Sequence, residues 1–105
     1  MDKEEKEETQ KRITQYNKMI KETLERKWGD VEVKNSCLAT ALDMKTKRHD
    51  IPKLMEDVEY SIRCIRSGNE YLEFLTGELK HQVNRLEDAE KMEQEMKKIL
   101  KKLGD

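Results

Sequence analysis

Asp50 to Leu103 reads DIPKLMEDVEYSIRCIRSGNEYLEFLTGELKHQVNRLEDAEKMEQEMKKILKKL, and the spacing of its apolar residues decides the fold. From Ile51, alternating steps of four and three reach Met55, Val58, Ile62, Ile65, Asn69, Leu72, Thr76, Leu79, Val83 and Leu86. Asn69 and Thr76 are the only polar residues in that series. Such spacing marks one face of a long helix wound against another helix. With Val58, Ile65, Leu72, Leu79 and Leu86 as d positions, the a positions hold Met55, Ile62, Asn69, Thr76 and Val83, a mixture that suits a two-stranded coiled coil. Asn69 then reads as the register device, because a slipped pairing would bury its amide without a partner.

The remaining faces of this helix are greasier than a plain coiled coil needs. Tyr60 and Phe74 fall at f, Cys64 and Tyr71 at c, and Leu54 and Leu75 at g. Other helices of the same chain could cover them, or Tyr60, Tyr71 and Phe74 could form a docking face for a partner. Gly68 beside Asn69 offers a possible break into a small four-helix bundle, but the heptad phase runs on across it, which favours one helix over 51–103. After Leu86 the apolar spacing shifts to Ala89, Met92, Met96, Ile99 or Leu100, and Leu103, a stammer that turns the last segment toward another side.

Upstream, Ile13, Tyr16, Ile20, Leu24 and Trp28 make one apolar stripe and predict a first helix over about 5–28, with Met1 to Glu8 frayed. Trp28-Gly29-Asp30 reads as a stop and restart, Gly supplying a left-handed cap and Asp the next N-cap. A second helix over about 31–48 carries Cys37, Leu38, Ala41, Leu42 and Met44, and ends on Lys45, Lys47, Arg48 and His49. Asp50 and Pro52 then open the third. The sequence thus predicts a single all-α domain over 1–105, with up-down-up helical hairpins leading into a long C-terminal coiled-coil helix. The acidic start of helix 1 should meet the basic end of helix 2. A turn at His49 to Pro52 should set Cys37 and Cys64 level with one another, as free thiols.

Composition fits a thin, helical molecule. Of 105 residues, 34% are apolar and 43% charged, with one Pro and four Gly, so no large core is available. Twenty-two basic and 23 acidic residues leave a net charge of −1, which gives no global field for nucleic acid or an anionic membrane. Lys97, Lys98, Lys101 and Lys102 suit the end of a helix on dipole grounds and have no interleaved aromatics. No apolar run approaches a membrane span, and the acidic start is unlike a signal peptide, which points to the cytoplasm or nucleus. Gly-rich phosphate loops, metal-ligand spacings and nucleophile elbows are missing, so no enzyme activity, cofactor, metal or small-molecule substrate is expected.

Ala41-Leu42-Asp43-Met44 to Pro52 is similar to a central element protein of the synaptonemal complex. A helix, a short helix ending at a basic corner, the Ile51-Pro52 start and a final long helix together resemble tubulin-binding cofactor A, a small three-helix chaperone. Each likeness covers at most a third of the chain with identical residues, and no functional residue carries over from either. The expected function is a non-enzymatic structural subunit of a hetero-oligomeric coiled-coil assembly of cytoskeletal, chromosome-associated or vesicle-tethering type, or a homodimer. Its expected interface is Ile62, Ile65, Asn69, Leu72, Leu79, Val83 and Leu86 with Tyr60, Tyr71 and Phe74. A compact chaperone or adaptor of the tubulin-cofactor kind is the alternative.

Overall fold

A computed structural model of the chain describes residues 1–104. Two long helices account for nearly all of them: α1, Lys3–Leu42, and α2, Ile51–Gly104, joined by residues 43–50, which include one 3₁₀ turn at Arg48–Asp50. The molecule measures 86 × 19 × 15 Å, in keeping with a 54-residue helix of about 81 Å. Asp2 caps α1 by accepting a 2.8 Å hydrogen bond from the Glu5 N–H, and Glu4 and Glu5 suit the positive end of its dipole. Met1 and Asp2 alone precede the helix, so the fraying expected over Met1–Glu8 is absent.

Two helices stand where the sequence predicts three. α1 runs through Gly29 without a break, and no residue among those described has the positive φ that a glycine cap requires. Gly costs a helix interior only about 1 kcal/mol relative to Ala, which the packing of Asp30, Lys34, Cys37 and Ala41 against α2 can offset. The second helix therefore belongs to α1, and it ends at Leu42 rather than at the basic cluster. α2 is continuous across Gly68 and Gly77, so the four-helix alternative does not form, and neither does a compact three-helix body.

The two helices lie side by side and antiparallel. Thr23 lines one groove with Tyr71, as Asp30 does with Cys64; Thr40 and Leu54 share a hollow nearer the connection; and Lys6 bonds Glu93 at the far end. Half-buried residues flank the seam, among them Met19, Val31 and Leu38 on α1 and Met55, Cys64 and Val83 on α2. The residues of the seam itself recur at steps of three and four on both helices. On α1 they are Lys6, Thr9, Ile13, Tyr16, Ile20, Thr23, Lys27, Asp30, Lys34, Cys37 and Ala41. On α2 they are Leu54, Val58, Ser61, Ile65, Gly68, Leu72, Leu75, Leu79, Gln82, Leu86, Ala89 and Glu93. In heptad terms α2 turns its d and g positions to α1 and leaves the a row on the flank. The d row serves either seam, which is why the sequence count alone settles on the wrong partner row. The d/g phase also continues without a stammer from Leu86 through Ala89 and Glu93 to Met96, Leu100 and Leu103.

Size complementarity explains the choice of seam. In the register set by the groove residues, Lys27 lies across from Gly68, Lys34 from Ser61 and Lys6 from Ala89, while Ile20 meets Leu75 and Ala41 meets Leu54. Small side chains on α2 give room for the lysine stems; the ammonium groups of Lys27 and Lys34 reach out to water, and that of Lys6 pairs with Glu93. Leu75 has 0% of its surface exposed, and Ile13, Val58 and Ala89 are buried with it. Thr9 is buried too, its hydroxyl donating to the Glu5 carbonyl at 2.8 Å. Gln82 is the exception: its Oε1 is buried and has no hydrogen-bond partner among the described residues.

The connection is held locally. Asp43 Oδ1 accepts from the Lys45 N–H at 2.9 Å, the Thr46 N–H donates to the Asp43 carbonyl at 3.0 Å, and the Thr46 hydroxyl donates to the Thr40 carbonyl. Because the chain turns over 43–50, three or four residues earlier than expected, Cys37 and Cys64 are not level. Cys64 shares its groove with Asp30, and Cys37 lies seven residues beyond Asp30, about 10 Å along the axis. Both cysteines are free and half-buried. The acidic start of α1 also sits beside the far part of α2, not beside the basic residues 45–49, and the Lys6 hydrogen bond holds the Glu93 carboxyl below its ordinary value.

Candidate protein-binding surface

An antiparallel helix pair has two flanks where neither helix covers the other. The expected interface residues divide among these flanks and the seam. Ile65, Leu72, Leu79 and Leu86 are half-buried in the seam against α1. Ile62, Asn69 and Val83 lie on one flank, where Ile62 and Asn69 are exposed; Tyr60, Tyr71 and Phe74 lie exposed on the other. Asn69 is therefore not at the intrachain seam, and the buried amide there is Gln82. Nor does α1 cover the aromatic residues, since Tyr60 keeps 64% and Phe74 59% of its surface exposed.

The aromatic flank holds a groove. Tyr60, Cys64, Ser67, Gly68 and Tyr71 of α2 face Thr23, Arg26, Lys27 and Asp30 of α1, with Arg63 at the margin. Phe74 packs on Tyr71, ring centroids 6.4 Å apart at 25°. Three cations surround one half-buried carboxylate, yet Asp30 makes no ion pair among the described residues. No group of three or more potential metal-ligating side chains occurs among them either.

The opposite flank carries apolar residues on both helices. On α1, Arg26 precedes the seam position Lys27 and faces the groove; Leu24 and Val31 follow the seam positions Thr23 and Asp30 and so face away from it. Trp28 and Leu38 continue that row at helical spacing. On α2 the same side carries Met55, Ile62, Asn69, Thr76 and Val83. Trp28 is 63% exposed, Leu24 39% and Ile62 40%. Leu24 and Trp28 thus leave the packed stripe expected of helix 1. The signal in the sequence is their spacing: 16, 20, 24 and 28 are successive steps of four, and each such step rotates about 40° around the helix. Such a row leaves a seam that alternates threes and fours.

Beyond Glu93 nothing covers α2. Gln94 to Gly104 are all exposed, among them Met96, Ile99, Leu100 and Leu103. None of the described helices is long and apolar enough to cross a membrane. No protein-family model, no curated protein and no solved structure matches the chain.

Proposed function

We propose that the chain is a non-enzymatic structural subunit of a hetero-oligomeric coiled-coil assembly, of cytoskeletal, chromosome-associated or vesicle-tethering type, acting in the cytoplasm or nucleus. What carries this reading is one flank of the helix pair, where Leu24, Trp28 and Ile62 stay exposed beside half-buried Val31 and Met55. A tryptophan at the centre of such a flank is the residue type most enriched among those that dominate binding energy. A partner helix laid along it would cover Trp28 and Ile62 together and turn two helices into three. The compact chaperone reading has less support, because an 86 Å pair of helices has no third helix to close a bundle.

Cross-linking mass spectrometry in native extract tests the reading. Lysine crosslinks from Lys21 and Lys80 to one helical protein are expected with the wild type. They should disappear with Trp28→Ser, which leaves the melting temperature within a degree or two because the ring is exposed. Crosslinks that persist in the variant would overturn it.

A further inference from the structure

We propose that the uncovered end of α2 is a homotypic contact, through which two copies join end to end about a twofold axis near Leu100. The surface differs from the Leu24–Trp28–Ile62 flank, and the inference does not rest on it. Its basis is continuity: the row that packs on α1 continues in phase as Met96, Leu100 and Leu103, with Ile99 beside it, after α1 has run out. Those four residues keep 57–77% of their surface exposed. A helix on the line of α1, antiparallel to α2, would complete the same seam.

The end of α2 from a second copy is such a helix. Set antiparallel, Leu100 meets Leu100 of the second copy and Met96 meets its Leu103, so the row is self-complementary, as a twofold contact must be. Charge favours this occupant at the junction with α1, while Lys97 and Lys98 of the two copies, on the rim of the overlap, stay in water. Lys101 and Lys102 of one copy come to lie within about two turns of Asp2, Glu4 and Glu5 at the start of the other copy's α1. The negative end of one helix dipole then faces the positive end of the next. Eleven residues on each side bury less than the ~800 Å² per partner of tight complexes, so the contact is weak and depends on concentration.

Sedimentation velocity and small-angle scattering on the full chain, from micromolar to millimolar concentration, provide the test. A monomer–dimer equilibrium is expected, with a dimer about 155 Å long, two 86 Å rods overlapping by some 16 Å. Leu100→Glu should weaken association at least tenfold without changing helicity or melting of the monomer, because Leu100 touches nothing on α1. Lys101→Glu with Lys102→Glu should weaken it, and adding Glu4→Lys with Glu5→Lys should restore it. A wild type that stays monomeric, a dimer no longer than about 90 Å, insensitivity to Leu100→Glu, or failure of the charge exchange would each overturn the proposal. Binding only to an acidic amphipathic peptide or to anionic vesicles would do the same, by assigning the surface to another occupant.

Discussion

The first four turns of α1 and its middle solve the same packing problem with opposite side chains. From Thr9 to Ile20 the seam positions are Thr9, Ile13, Tyr16 and Ile20, covered or half-covered by α2, and the other polar residues face water. From Thr23 to Lys34 the seam positions are Thr23, Lys27, Asp30 and Lys34, while Leu24 and Trp28 stand outside. Helix geometry, not local hydrophobicity, decides which residues face the partner. Once Ile13, Tyr16 and Ile20 are docked, the alternation of threes and fours fixes every later position on a rigid helix. The middle then tolerates lysines over Gly68 and Ser61, and its best apolar residues are released for another use.

Truncation across this divide should have the largest effect. Leu75→Ala, which opens a cavity beneath a fully buried side chain, should cost about 3 kcal/mol in denaturant unfolding. Leu24→Ala should cost about 0.5 kcal/mol or less. Equal losses at the two sites would erase the distinction between covered and released residues.

The next effect sharpens the packed side of the comparison. Gln82→Leu removes a buried carbonyl oxygen that lacks a partner and should raise stability by about 1 to 2 kcal/mol. A loss of stability on that change would mean that the amide is satisfied in solution.

Gly29→Ala examines the middle directly. A Cβ at Gly29 meets nothing within 4 Å, so Ala should stabilise a continuous α1 by about 1 kcal/mol, visible as a higher melting temperature. A left-handed cap at Gly29 would give the opposite sign. The smallest effect belongs to the Lys6–Glu93 pair. Because the folded carboxyl titrates below its ordinary value, its contribution is present above that value and fades as pH falls through the depressed one. Replacing Lys6 with Met should flatten that part of the acid melting curve.

Much of the architecture is legible in the residues themselves. The span of α2, its passage across Gly68 and the all-helical character all follow from spacing, whereas the Asp2 cap, which holds a start expected to fray, does not. Gly29 misleads because a glycine signals only what the backbone can do; whether the helix stops depends on what the next turns can pack against. The row facing α1 misleads for a related reason. Met55 and Ile62 look better buried than Ser61 and Gly68 until Lys34 and Lys27 opposite are known, and those lie 27 and 41 residues away in the chain. The flank containing Trp28 was legible only in the steps of four that carry it off the seam.

The connection at 43–50 also sets an order of assembly. Closing the Ala41–Leu54 layer restricts a loop of about a dozen residues, whereas joining Thr9 to Leu86 restricts nearly eighty, a difference of about 1.5 kcal/mol in chain entropy. The helices therefore zip from the connection outward, and the zipper must pass the lysine-bearing layers before it reaches Ile20 and Leu75. Val58 is buried early in that order and the Leu75, Ile13 and Ala89 layers late, so the late layers do little to speed folding and mainly slow the reopening of the pair.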